Sequence, residues 1–396
     1  FTFAVSTSGS NSGWNVNFGQ QSFSYTPPTD YLSLCTQNLS DPTIADGTSV
    51  LDVVNETTSV AGSAKTISGL SFAPSLVISK LRNQSANGRW GFIDIVRGVN
   101  KTLASDRTDA EVTTQTDLLT QFNSDGFDVG ADTGGYGWNY QNTGSLYTYW
   151  AWDSGSSTVS NTDGTITSNV RANQSSGFSI VEYTGNATNS TVGHGLNAAP
   201  ELIIIKLRED ASGWAVYHDA IGTSTQNYIE LQSTAVAAQD NTAFQNTAPT
   251  SSVFSIGTKA ATNNSGDSHV AFCWAPVSQY SSFGKYTGTR NLFIYTGFKP
   301  QWLLIKSYAG DGFNWVIIDS TRGATTGNVS NKLYPNLSNY ENDDGRGTET
   351  KVVFLSNGFR FLDEGAETNS STRSYIYAAF AEHPFKSSRG GFQNIS

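Results

Sequence analysis

Methionine is absent from the 396 residues, cysteine occurs twice and histidine four times. Without methionine the first residue is not an initiator, and a processed product or a fragment is expected. Cys35 and Cys273 stand most of the chain apart, which excludes a disulfide framework and any zinc-spaced cysteine cluster; both are read as free thiols. Charged residues make up only 14%, the formal net charge is −10, and the 23 Lys and Arg are scattered. No basic stripe exists to neutralise a phosphate backbone, so nucleic acid is not an expected partner. No apolar run approaches the roughly 18–20 residues of a spanning helix, and residues 1–10 lack a charged start followed by an apolar core. Membrane insertion is not expected. Helical windows are also scarce, the best being the short stretch 113–122.

What is present is glycine and aromatics: 38 Gly, 9 Trp, 17 Tyr and 22 Phe, embedded in Ser, Thr and Asn. That composition suits short strands joined by polar turns, and the expected class is all-β, built from tandem antiparallel β-sandwich repeats. A recurring pattern organises the chain. Gly-Leu-Ser-Phe-Ala-Pro-Ser-Leu-Val-Ile-Ser-Lys ends at Lys80, Gly-Leu-Asn-Ala-Ala-Pro-Glu-Leu-Ile-Ile-Ile-Lys at Lys206, and Thr-Gly-Phe-Lys-Pro-Gln-Trp-Leu-Leu-Ile-Lys at Lys306. Each lysine follows its proline, Pro74, Pro200 or Pro300, by six residues. The continuous apolar run between them predicts a central strand buried on both faces, with the lysine marking its exit from the core.

Beyond a polar gap come Trp90, Trp214 and Trp315, and eight residues later Gly98, Gly222 and Gly323, which predict a second strand ending in a turn. A Gly- or Ser-flanked strand around Phe127, Phe254 and Phe359 follows, then an aromatic strand closing at Trp152, Trp274 and Phe380. A further strand opens units two and three at 177–185 and 282–288, with a worn counterpart near 51–54. Boundaries follow: a separate N-terminal segment at 1–46, repeats at 47–152, 177–277 and 278–386, a linker or hairpin at 153–176, and a loose tail at 387–396. The three repeats are expected to stack.

In the N-terminal segment, Asn17-Phe18-Gly19-Gln20-Gln21 followed by Tyr25-Thr26-Pro27-Pro28 resembles the closing strands of a SPRY-like, lectin-type jelly roll. The three units resemble uncharacterised repeat domains found beside such modules in large bacteriophage virion proteins, notably at 247–254 and 381–385. The resemblance implies a tail-fibre, tail-associated or decoration role, extracellular or on the virion, with self-association as trimer or filament and a host glycan or receptor as partner. It carries no catalytic signature.

The residues themselves offer little chemistry. There is no Gly-x-Ser-x-Gly elbow and no phosphate loop, and His194, His218, His269 and His383 are dispersed. Four residues after each repeat tryptophan stand Asp94, His218 and Asp319, a recurring polar position read as a turn or cap rather than as the carboxylate pair of a glycosidase. Acidic runs such as 125–132, 161–164 and 341–345 lack EF-hand spacing and are read as turns, so no metal, cofactor or catalytic residue is assigned. The exception is Gly134-Gly135-Tyr136-Gly137-Trp138-Asn139-Tyr140, an insertion rich in Tyr, Trp and Gly. Tyr136, Trp138 and Tyr140 are candidate contacts for a ligand or a neighbouring subunit, with surface decoration as the third reading. The resulting expectation is a structural and adhesive protein that is not an enzyme. A self-assembling extracellular filament subunit and a glycan-cleaving tailspike are the alternatives.

Overall fold

Two apolar strands in each repeat fix its architecture, since both of their faces need cover. In the computed structural model these are the lysine strands, Leu76–Leu81, Leu202–Leu207 and Pro300–Ala309, and the closing strands, Leu146–Trp152, Ser268–Trp274 and Ser374–Ala381. The structure describes residues 24–26, 41–58, 60, 62–84, 88–139, 143–222, 228–323, 331–341 and 351–384. The jelly-roll motif (apart from Tyr25 and Thr26), Cys35, Tyr140 and the tail lie outside them.

Each repeat lays down one antiparallel sheet in the same spatial order: opening strand, closing strand, lysine strand, tryptophan strand. The opening strands are Leu51–Thr57, Phe178–Thr184 and Ser281–Thr287, so the worn element of the first repeat is a full strand. The tryptophan strands are Trp90–Asp94, Trp214–His218 and Val316–Asp319, each leading to a glycine at positive φ, Gly98, Gly222 or Gly323. A small second sheet faces each large one. It pairs a rim strand (Lys65–Ser68, Ser190–Gly193 or Phe293–Tyr295) with the Gly-Phe strand (Gly126–Val129, Val253–Ile256 or Gly358–Phe361). The fold is therefore all-β, in antiparallel sandwiches. Asp153 to Ser176 forms a hairpin, Thr158–Asn161 with Ser168–Asn173, which extends the sheet of the second repeat beyond its opening strand.

The period-two alternation of the central strands decides what is buried where. In the second repeat, Ile203, Ile205 and Ala271 face Val192, Phe254 and Ile256 inside the sandwich. Their neighbours Leu202, Ile204, Phe272 and Trp274 turn the other way, into a core shared with Leu76, Ile78, Trp150 and Trp152 of the first repeat and Trp302, Leu304 and Phe380 of the third. Trp152 lies edge-on to Trp274 at 6.4 Å and to Trp302 at 5.6 Å, touching both other repeats. The expected stack is thus corrected to a closed pseudo-threefold cycle. Stacked sheets each leave an apolar outer face at the array ends, whereas closing three around one centre buries all three.

Candidate functional site

The recurring polar residues of the sequence meet at the three junctions of this cycle. The tryptophan indole of each repeat donates to a backbone carbonyl of the preceding one: Trp214 Nε1 to Ala104 O at 3.0 Å, Trp315 Nε1 to Glu230 O at 2.9 Å, and Trp90 Nε1 to Tyr334 O at 2.8 Å. The lysines do the same: Lys206 Nζ reaches Thr108 O at 3.3 Å, Lys306 Nζ Thr234 O at 2.8 Å, and Lys80 Nζ Ser338 O at 3.0 Å. A third set joins backbone to backbone, Glu111 N to Arg208 O, Ala237 N to Tyr308 O and Glu341 N to Arg82 O, at 2.7, 3.0 and 2.8 Å. All three lysines are fully buried. They do not mark the strand's exit from the core, because carbonyls from two repeats converge on each ammonium and replace its water. Burial pushes Lys80 and Lys306 down to about 7 and Lys206 to about 8.

Asp94, His218 and Asp319 are buried at the ends of the tryptophan strands and cap the turns that follow. Asp94 Oδ1 accepts from Val96 N and Arg97 N, His218 Nδ1 from Ala220 N, and Asp319 Oδ1 from Arg322 N. Two junctions add an ion network. Arg97 lies 2.5 Å from Asp94 and 2.7 Å from Glu111, which also holds Arg208 of the second repeat at 2.8 Å. Arg322 holds Asp319 at 2.6 Å and Glu341 at 2.8 Å, and Glu341 reaches Arg82 of the first repeat at 2.9 Å. Burial works against the charge of Glu111, yet Arg97 and Arg208 hold its carboxyl below the usual range. At the junction between the second and third repeats the same four positions are His218, Ile221, Ala237 and Tyr308. There His218 Nε2 bonds Tyr377 O at 3.0 Å, and burial pushes its imidazole down to about 4.

The carboxylates best placed by sequence for glycan chemistry are therefore locked in ion pairs away from solvent. The four histidines do not converge: His194 and His269 are buried on partners of their own repeat, His218 is buried against Tyr377 of the third, and His383 is exposed beside Asp46.

In the aromatic insertion, the Asp132 carboxylate accepts from Tyr136 N at 2.7 Å and Trp138 N at 2.8 Å, folding the loop back on itself. Trp138 is 0% exposed, and its indole donates to Thr102 Oγ1 at 3.1 Å. Its ring is packing for the first sandwich and does not face outward, since Gly91 leaves the space it fills. Tyr136 is half-buried with Arg89 over its ring at 5.2 Å. Sequence reasoning missed the residue beside Trp138. Asn139 Nδ2 bonds Ser63 O and Gly130 O, as Asn263 does Thr188 O and Gly257 O, and Asn369 does Thr289 O and Asp363 O. The signal was an asparagine eleven residues before Trp274 and Phe380 and thirteen before Trp152.

What the surface offers lies elsewhere. Among the described residues, the large apolar side chains exposed on strands are Val159, Phe293 and Tyr295. Phe293 and Tyr295 share the rim strand of the third repeat with exposed Arg360 directly across from Phe293, and exposed Arg290 and Lys299 flank them.

These features define a class: an all-β protein of three homologous sandwiches that close on one another within one chain. Residues 52–384 match a family described as a domain of unknown function, DUF7483, and the chain belongs to that family. No curated protein matches it.

Proposed function

We propose that the chain is a non-catalytic structural and adhesive module of an extracellular or virion fibre, in which a rigid closed scaffold presents surface for a host glycan or receptor. One observation carries this reading. The tryptophan indole and the buried lysine that recur in every repeat are spent on closing the cycle, while the exposed third-repeat rim is aromatic and cationic, Phe293 and Tyr295 with Arg360. Aromatic faces beside guanidinium groups stack on sugar rings and on other proteins without needing a deep cleft. The likeness of the repeats to phage appendage domains supports the setting. Three repeats in one chain also supply the threefold arrangement that fibres usually assemble from three chains, so a trimer is not required to bury the repeats.

The test is to incubate the purified chain with a panel of bacterial surface polysaccharides and to follow retention and reducing ends together. Retention without new reducing ends is expected. Release of reducing ends that is lost on replacing a single Asp or Glu would overturn the reading in favour of a glycan-cleaving tailspike.

A further inference from the structure

The three rim strands are equivalent by register, because Ile67, Val192 and Ile294 stand opposite Phe127, Phe254 and Phe359 of the Gly-Phe strands. Thr66, Thr191 and Phe293 are thus one position, and Ser68, Gly193 and Tyr295 another. In the second repeat this rim is covered. The Ile166 N–H donates to Thr191 O at 3.0 Å, Thr165 and Thr191 exchange bonds between N–H and hydroxyl at 2.9 and 2.8 Å, and the Ser168 hydroxyl donates to Gly193 O at 2.9 Å. The linker hairpin thus lies along that edge, bridged in parallel at Ile166 and Val192. Gly193 permits this approach, since a Cβ there would overlap Asn161 Oδ1.

Among the described residues the third repeat has no such hairpin before it, and Phe293–Tyr295 is the outer strand of its small sheet. Phe361 N bonds Leu292 O at 2.9 Å and Thr296 N bonds Asn357 O at 3.0 Å, so antiparallel alternation turns the peptide groups of Phe293 and Tyr295 to the open edge. The position that is Thr and Gly under the hairpin is here two aromatics, 40% and 68% exposed. An open edge of this kind is a template for an added strand.

We propose that this rim takes a strand of a second copy of the chain, namely Thr158–Asn161, and that the protein associates head to tail. Thr158–Asn161 is the outer strand of the sheet of the second repeat, and it carries the remaining strand-borne exposed apolar side chain, Val159, at 56%. Charge selects between the ways of pairing the two edges. Rim against rim sets Arg290, Lys299 and Arg360 against the same three cations, whereas the strand 158–161 carries no charge, with Asp163 in its turn and the hairpin's base, Arg171, across from Thr158. Like charges across a strand pair are unfavourable, so the heterologous pairing wins. A heterologous contact that does not close on itself grows into a filament. The inference deepens the fibre reading by naming a partner and a surface, and it rests on that reading only for its setting.

Two variants make the test. Tyr295→Pro removes a donor from the open edge, where proline is tolerated because the N–H faces solvent. Val159→Lys charges the opposing edge. Sedimentation of the wild-type chain is expected to show open-ended, concentration-dependent growth, weakened at least about tenfold by either variant alone. An equimolar mixture of the two variants is expected to give one-to-one dimers and nothing larger, because each retains the edge the other lacks. Wild-type chain that stays monomeric, growth that stops at a symmetric dimer, or variants that fail to complement would each overturn the proposal. Polysaccharide retention is read separately, so failure of the adhesive reading and failure of this one are told apart.

Discussion

A lysine at the end of an apolar run reads as an exit to solvent because lysine is rarely buried without partners. Lys80, Lys206 and Lys306 break that rule since their acceptors include carbonyls of other repeats, far away in sequence. The consequence is a pH dependence whose sign follows from linkage. A base with a depressed folded pKa costs nothing above its ordinary value and its full amount below the depressed one. For Lys80 and Lys306 the cost grows as pH falls from 10.5 to about 7, and for His218 as it falls from 6.5 to about 4. The His218 shift alone is worth about 3 kcal/mol at 1.36 kcal/mol per unit. Burial raises Cys273 and Tyr183, whose contributions decline above about pH 9. Thermal midpoints should therefore climb from pH 4 to a maximum on the alkaline side of neutral. His218→Asn, which keeps a cap acceptor, should flatten the rise between 4 and 6.5 in a calorimetric pH series. An unchanged slope there would remove His218 as its source.

The strands were legible because their signals are local: six residues from proline to lysine, glycine after the tryptophan strand, alternation around Phe127, Phe254 and Phe359. The aromatic insertion was not. Tyr and Trp among glycines look like a binding loop until Asp132 and Asn139 are seen folding it inward, and neither bond can be read from spacing in one repeat. Trp138→Ala should cost about 3–5 kcal/mol in urea unfolding, as expected for emptying a buried tryptophan site. Tyr136→Ala should cost about 1 kcal/mol or less, the usual range for a half-exposed ring and its cation contact. Equal losses would contradict the buried placement of Trp138. The hairpin offers a second element-scale check. Gly193→Ala forces Asn161 and its strand away from the rim and should cost about 1–3 kcal/mol, typical of overpacking. The loss should be local, with faster amide exchange at Ile166 and across 168–173 and little change in the first and third repeats.

The repeats themselves were visible in the sequence, but their closure was not, because it depends on which loop faces which repeat. An open array loses stability roughly in steps as units are removed, each interface being worth its own increment. A closed cycle has no free end. Removing the third repeat at 278–386 takes away both acceptors of Trp90, one of the two acceptors of Lys80, the Glu341 that holds Arg82, and the ring face that covers Trp152. What remains would expose an apolar centre, leave a buried indole without a partner and leave an ammonium with the Gly88 carbonyl alone, each costing more than a lost surface contact. The intact chain should therefore unfold in one transition whose calorimetric and van't Hoff enthalpies agree, and residues 47–277 alone should show no cooperative melt. Asp319→Ala tests the same junction more gently. It leaves Arg322 with Glu341 as its remaining carboxylate and strips the Trp150 indole of its acceptor at 3.0 Å, so a loss of about 3–5 kcal/mol is expected, spread over the whole transition. If the third repeat instead melted separately while the first two held, the repeats would be independent units that merely touch. The shared tryptophan centre would then not hold the chain together.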